Sequence, residues 1–500
     1  MTIVLMLASL CMASKVTTIT LGVGDSSVVS VAKPFAQSSV ISSDPQVLEV
    51  ERAPVGFRAT AHRPGSGFVT LNAGGKVKRF DFAVKPYAAQ FPTQLSATVN
   101  GLPAIPGTVQ GAIESSLKQT IKCAPMAKLS FKFTNVPTIG AGMMVMVPVK
   151  VNIEAPGTLP RRGQVTVKVT NLGLVGQADD VLWYCNDPER VAYARNLFSA
   201  ELEAGKSARL LYHHINVAPM PIVIRTLVFN NSDAPATVVL TPGDSAPDRD
   251  PVGAGLKAGD LYFRAWRSQS GEVVTIPPKS CIPISFRRLK PQEVISGLCS
   301  IRSVEGASLL VRTDSVLPTE IEPKWVVTYF SSTPWRETGP QPIRSWDMTH
   351  YELSDHVYPI PFKSETATYT VGGRYAVVRL GQVSISRQDS SGRLDGNFGV
   401  IYEVELNLSN PTTHKADVEV TFETSAGYSG GLFSINGRYL MTPKMLPKKL
   451  ARIAKYSLAA GEKRKVQLTT MPLSGSSYPA TLFVRLLGSG PTKNVLDLTK

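Results

Sequence analysis

The sequence predicts an all-β protein: several immunoglobulin-like or related antiparallel β-sandwich modules in tandem, with few short helices. Three observations carry this expectation. The segments TLNAGGKVKRFDFAV, LSFKFTNV, GQVTVKVTNLG, ATVVLTPGD, ADVEVTFETSAG and KRKVQLTTM alternate apolar with polar residues and run into Gly, Pro, Asn or Asp, as half-buried strands bounded by turns do. Glycine (39) and proline (37) together exceed the roughly 12 per cent of an average chain, which favours turns over long helices. Helical spacing is confined to two short stretches, Ile113 to Ile121 and Pro188 to Phe198, neither of which would organise a domain. With 18% charged and 43% hydrophobic residues the chain is no disordered polyelectrolyte, and its 500 residues suffice for about three to five domains.

In chain order, MTIVLMLASLCMA (1–13) is an uncharged apolar run too short to span a bilayer, and it reads as a signal peptide cleaved before Ser14. A β module occupies 14–88, a β-rich module or extension 89–160, and a β-sandwich 161–317. Residues 318–362 are dense in proline and aromatics and read as a connector; 363–500 form a basic carboxy-terminal sandwich. VKVTNLG, LVFNNSDAPATVVL and VELNLSNPTTHKADVEVTF share a strand, Asn-containing turn, strand order, the grammar of immunoglobulin-like sandwiches and not a repeat of fixed period. After cleavage Cys123, Cys185, Cys281 and Cys299 remain. An exported protein can oxidise them, and Cys281 with Cys299, each in an expected strand, is the candidate disulfide; four buried free thiols are the alternative.

Residues 17–84 carry a more specific signal. Gly24 to Ser26 precede the alternating VVSVAKP; SSDPQVLEV holds Asp44 and Pro45; Pro64, Gly65 and Gly67 precede FVTLNAGGKVKRFDFAV. Asp44-Pro45 starts a turn, and Val69 to Val84 reads as a hairpin through Ala73-Gly74-Gly75. This stretch resembles the pilus-formation amino-terminal domain found ahead of the secretin channel in pilus-assembly and type II and III secretion proteins. The resemblance implies a compact β module that packs against neighbours in a periplasmic assembly. It covers about 70 residues, and no later segment carries the secretin hairpin pattern, so channel formation is not implied.

No motif for catalysis survives inspection. Gly427-Tyr428-Ser429-Gly430-Gly431 satisfies GxSxG, but the last histidine, His414, precedes it, whereas that elbow needs a later one. His213 and His214 are adjacent, so in a strand they point to opposite faces and cannot share a metal. His350, Asp355 and His356 lack a regular element to fix their geometry. Asp244, Asp248 and Asp250 read as Asx turns because Arg249 interrupts them and the DxDxDG spacing is missing. GVGDSS and GAGLKAG lack the Lys-Ser or Lys-Thr ending and the following helix of a phosphate loop. The expectation is a non-enzyme with no cofactor and no metal.

Two surface features remain. The formal charge is +15, and Gly430 to Lys500 hold twelve basic residues against Glu462 and Asp497. Lys444, Lys448, Lys449, Arg452, Lys455, Lys463, Arg464 and Lys465 are therefore candidates for an anionic-surface site, with solvated strand edges as the plain alternative. Trp325, Tyr329, Phe330, Trp335, Trp346, Tyr351, Tyr358 and Phe362 crowd one stretch; Trp325, Trp335 and Trp346 are candidates for stacking on sugar faces, with an interdomain aromatic core as the alternative. The function expected is binding or assembly by an exported bacterial envelope protein, pilus- or secretion-associated or a cell-surface structural component. Its partner would be an envelope or pilus/secretion-assembly protein, an anionic polysaccharide or a membrane surface, and not nucleic acid. The alternative is a carbohydrate-binding or polysaccharide-active extracellular protein.

Overall fold

A computed structural model describes residues 18–32, 35, 38–318, 341–342, 351–489 and 495–499. The fold is all-β, with sandwich modules in tandem and two α-helices among the described residues. The chain divides into two compact units: residues 1–93, 121–133 and 149–165 in the first, and 94–120, 134–148 and 166–500 in the second.

The first unit opens with a small sandwich. One sheet runs in the order Thr18–Gly22, Lys76–Lys85, Gly65–Ala73, Ser39–Ser42, its first pair parallel. The other runs Ser26–Ser30, Gly56–Ala61, Leu48–Ala53. Alternation places Phe80, Phe82 and Val84 inward against Leu48, Phe57 and Leu71. The expected hairpin forms: Ala73 pairs with Lys76 across Gly74 and Gly75, both at positive φ, as a two-residue turn of this hand requires. Asp44 makes the expected turn by accepting the backbone N–H groups of Gln46 and Val47. The same unit holds the antiparallel pairing of Lys128–Phe133 with residues 149–154.

In the second unit a large sheet runs from residues 144–148 through 166–171, Gln94–Asn100, Gly271–Ile276, Ala236–Thr241, Val294–Glu305, Ser207–Asn216 and Val181–Cys185 to Val357–Pro359. A second sheet, with Arg195–Leu202, Leu309–Val316, Ile222–Asn230 and Ser280–Leu289, packs on one face of it over Leu210, Tyr212, Ile224, Val228, Ile282, Ile301 and Val311. Helix α1 (Pro106–Thr120) forms over the first predicted helical stretch. The second, residues 188–198, is extended instead: it supplies Arg190–Val191 and the start of Arg195–Leu202.

Helix α2 (Pro251–Trp266) contains GAGLKAG, where no helix was expected. Pro251 at the first turn and buried residues at 252, 254–256, 258–259, 262–263 and 265 give it a helical apolar face. Gly253, Gly255 and Gly259 each cost about 1 kcal/mol in a helix, which masks the pattern locally. Packing reverses that cost. A Cβ at Gly255 would lie 1.9 Å from the Ser474 carbonyl oxygen, and one at Gly259 2.4 Å from Leu473 Cδ2, so the glycines let the helix backbone lie against the carboxy-terminal sandwich.

That sandwich has two five-stranded sheets. One orders Phe362–Thr370, Ile401–Ser409, Lys463–Thr470, Leu432–Ile435 and Arg438–Met441; the other Ala376–Leu380, Ala480–Leu486, Ala416–Glu423, Leu450–Leu458 and Val495–Asp497. Its core of Val404, Leu406, Val420, Phe422, Leu468 and Leu482 continues without a break into Leu256 and Phe263 of α2 and into Leu182, Leu211 and Leu298 on the outer face of the large sheet. The two sandwiches of the second unit therefore share one core.

The recurrent Asn turn has a structural meaning that its sequence only hinted at. Asn171, Asn216, Asn230 and Asn410 are each fully buried at a strand end. Each donates its side-chain amide to backbone carbonyls of neighbouring turns while its Oδ1 accepts the N–H two residues on. In Asn230 and Asn410 a Ser232 or Thr412 hydroxyl also donates to Oδ1, at 2.7 Å in both.

Candidate functional site

Five of the eight candidate basic residues lie on two strands of opposite sheets. Arg452 and Lys455 stand on Leu450–Leu458, whereas Lys463, Arg464 and Lys465 stand on Lys463–Thr470 in the facing sheet, so the expected single basic face is not assembled. Several carry acid partners. Arg452 bridges Glu419 and Asp497, each at 2.7 Å, and Arg485 donates to the other oxygen of Glu419 at 2.8 Å, which makes a structural network between strands. Lys455 faces Asp417 at 3.5 Å, Arg464 pairs with Glu462 at 2.5 Å, and Lys465 pairs with Glu405 at 3.3 Å.

What remains together is the loop before Leu450. Lys444, Met445, Leu446, Lys449 and Leu450, with Leu496 of the edge strand, line a shallow depression of about 400 Å³. Thr424 pins the loop from below: its hydroxyl donates to the Leu446 carbonyl, its carbonyl accepts the Lys448 N–H, and its N–H donates to the Lys449 carbonyl. Lys448 is exposed at positive φ, and Leu446 is half exposed. Lys444 leans over the Tyr428 ring and pairs with Asp250 at 2.8 Å. A fixed loop that offers lysines around an apolar floor suits an anionic group attached to an apolar body.

The aromatic candidates Trp325, Trp335 and Trp346 lie outside the described residues, as do residues 1–13 and His350. The described members of that stretch are packed. Tyr358 is buried and meets Tyr184 edge to face at 6.3 Å, Tyr351 packs against the apolar cluster that includes Val223, Phe229 and Phe286, and Phe362 lies 6.4 Å from the Trp266 ring.

The expected bridge between Cys281 and Cys299 is not formed; all four described cysteines are free thiols. The two residues sit on strands of different sheets. Cys299 packs toward the sandwich interior with Leu210 and Ile301, while Cys281 points the other way, among Val223, Leu227 and Phe229. Alternation along each strand fixes those opposite directions.

The residues of the motifs set aside in the sequence are taken up by other contacts. Ser429 is fully buried, its hydroxyl turned to the Gly430 carbonyl at 3.5 Å. Asp244, Asp248 and Asp250 do not converge: Asp244 accepts from Ser285 and Arg287, Asp248 pairs with Lys257, and Asp250 pairs with Lys444. Asp355 pairs with His356 and Arg387. Among the described residues no three His, Cys, Asp or Glu side chains are grouped to hold a metal ion.

Two buried arrangements escaped sequence reasoning because their members are far apart in the chain. Cys185 Sγ lies 3.2 Å from His214 Nε2, and His214 Nδ1 lies 3.0 Å from the Pro188 carbonyl. The carbonyl accepts from Nδ1–H, which leaves Nε2 unprotonated to accept from the thiol. Burial pushes the thiol far above its ordinary value and the ring down to about 4, so the pair is neutral and sealed and is not an activated nucleophile. The other is the guanidinium of Arg209, fully buried, donating to Asp179, Tyr262, and the carbonyls of Pro361 and Gly399 at 2.6 to 3.3 Å. Strand Ser207–Asn216 carries it in one sandwich, and Gly399 belongs to the other, so this cation clamps the two together.

No protein-family model and no curated protein matches the chain. Among solved structures, the titin immunoglobulin tandem A164-A165 is similar over 31% of this chain and 93% of its own, at 7% identity and a TM-score of 0.13. The human mucin-like protocadherin EC1-2 is similar over 32% and 97%, at 10% identity and a TM-score of 0.13. The PBSX exported protein XepA is similar over 62% and 95%, at 9% identity and a TM-score of 0.15. At these scores the likenesses carry no functional argument. No helix among the described residues is long and apolar enough to cross a membrane.

The buried histidines set a pH dependence. Among the described residues neither ring nitrogen of His213 has a hydrogen bond, Glu189 standing 3.9 Å away; burial, with His214 adjacent, lowers it from 6.5 to about 3, and burial lowers His214 to about 4. As pH falls below 6.5 the unfolded chain protonates both rings and the folded chain does not, so stability present above 6.5 is lost on the way to 4. Asp244 acts oppositely. Burial raises it from 3.8 to about 6, so its contribution is full below 3.8 and lost as pH rises past 6; acidification returns part of it. Two rings against one carboxyl leave a net loss of about 2–4 kcal/mol between about pH 7 and pH 4.5. Urea midpoints should fall over that interval, and His213→Leu should flatten the fall; a midpoint that does not move would contradict the account.

Proposed function

We propose that the protein is a non-catalytic, exported bacterial envelope component that works by binding or assembly. The observation that carries this is the shared core of the two large sandwiches, clamped by Arg209 and α2, which holds their surfaces at fixed spacing as a scaffold for partners requires. The amino-terminal segment's resemblance to a pilus-assembly module supports docking to an envelope or secretion-assembly protein. The apolar run 1–13 supports export, with the mature chain beginning at Ser14. In the native host, amino-terminal sequencing of the fractionated protein checks this, and a cytosolic product that keeps Met1 would end the export reading.

The loop at Lys444, Lys448 and Lys449 is the part of the carboxy-terminal sandwich best suited to an anionic polysaccharide or membrane surface. Retention on heparin should fall steeply with salt. Replacing Lys444, Lys448 and Lys449 with Glu should lower the eluting salt concentration more than replacing Lys463 and Lys465 on the opposite sheet. Equal effects from the two sets would show only net charge at work and remove the loop as a site.

A further inference from the structure

Three segments of the second unit carry no charged side chain of their own. Residues 94–113, 134–148 and 169–178 contain no Asp, Glu, Lys, Arg or His, in a chain that is 18% charged. Asn171 ties these three segments together: its side-chain amide donates to the carbonyls of Gly101, Ile139 and Gly140, and its N–H donates to Met143. Large apolar side chains stand exposed around that hub, among them Leu102, Met143 and Leu172. Contiguous exposed apolar surface of this kind marks an interaction site.

The same segments also carry an open sheet edge. Strand Met144–Glu154 pairs on its outer side with Lys128–Phe133 only from residue 149 onward. Residues 144–148 have no strand on that side among the described residues, and Met144 (49% exposed) and Met146 (50%) flank the open backbone. Proteins guard such edges with charge. Several other edge strands of this unit follow the rule, with Arg195 and Glu201, Lys363 and Glu365, Arg379, and Arg438, whereas the two- and three-residue edge strands Gln341–Pro342 and Val357–Pro359 are guarded by their shortness and proline. The edge at 144–148 has only Pro148.

We infer that the edge Met144–Val147, with the apolar pole around Asn171, is a self-association surface that pairs with the same edge of a second copy. Three features select that occupant. An antiparallel edge is self-complementary about a two-fold axis, so residue i of one copy meets residue j of the other and the reverse. Like charges directly opposite one another destabilise a strand pair, and this edge has none to oppose. Two copies at a net charge of +15 repel overall, and the edge 144–147 adds no charge of its own to that repulsion. This inference is independent of export and of the envelope assignment.

Sedimentation velocity on the full chain from about 1 to about 100 µM should show a monomer–dimer equilibrium. Raising NaCl from about 0.05 to about 0.5 M should tighten it, since screening removes the global repulsion. Met144→Lys with Met146→Lys, both at half-exposed positions, should weaken association at least about tenfold with the thermal midpoint kept. Val377→Lys, on an edge that already bears Arg379, should leave it unchanged. In the unmodified protein, amide exchange at 144–147 should slow as concentration rises. A monomer at all concentrations, dissociation by salt, or loss caused equally by Val377→Lys would overturn the inference, as would a dimer whose 144–147 amides exchange at the monomer's rate.

Discussion

Arg209→Ala lowers the unfolding free energy by about 3–5 kcal/mol and loosens the two large sandwiches from one another. The guanidinium is fully buried and donates to Asp179 at 2.7 and 2.9 Å; Asp179 itself is only 5% exposed. Removing the cation strands that carboxylate in a low-dielectric interior and also strands the Gly399 and Pro361 carbonyls. The loss of the pair, more than the worth of the pair, sets the size. A second substitution separates these effects: Asp179→Leu with Arg209→Met replaces ion pair by apolar volume and should recover much of the loss, because buried pairs exchanged for packed hydrophobes are often near neutral. Urea unfolding of the single and double variants measures both numbers. Limited proteolysis should find new cuts near Pro361 or Gly399 in Arg209→Ala; a single variant within about 1 kcal/mol of the parent would show that α2 and the shared apolar core hold the junction unaided.

The next largest effect is expected at Asn410. Its side-chain amide serves the carbonyls of His414, Leu458 and Ala459, and its Oδ1 accepts from both the N–H and the hydroxyl of Thr412. Asn410→Ala leaves several of these buried groups unpaired, at roughly 1–3 kcal/mol for each buried group left without a partner, so a loss of about 2–4 kcal/mol is expected. Asn410→Asp keeps the acceptor and inverts the donor, facing three carbonyl oxygens with a carboxylate, and should be at least as damaging. Asn407→Ala, on the strand Ile401–Ser409 that leads into Asn410 and with its amide donating to the partly exposed Glu405, should cost under about 1 kcal/mol. Equal losses at 407 and 410 would refute the hub reading.

Strand alternation was legible because its cause is local: successive side chains take opposite faces, so Phe80, Phe82 and Val84 declare a buried side without reference to any partner. The Ala73-Gly74-Gly75 hairpin was legible for the same reason, two consecutive residues at positive φ favouring glycine. Helix α2 was hidden because its glycines look like loop until Ser474 and Leu473 are brought within contact, and residues 188–198 read as helix until pairing with Leu309–Val316 and Ser207–Asn216 extended them. The basic candidates were found by count, but count does not reveal the sheet to which each strand belongs. The turn between Leu450–Leu458 and Lys463–Thr470 sends the chain to the opposite sheet and divides the charge.

By itself, then, the sequence determined an all-β chain of tandem sandwiches, its recurrent Asn turns and the basic bias of its last module, since period-two burial, turn chemistry and composition act within a few residues. Tertiary structure alone decided that Cys281 and Cys299 face different layers, that Arg209 clamps two modules, and that three uncharged segments meet at Asn171. Each of those depends on which distant strands become neighbours, and the energy that selects neighbours resides in non-local packing.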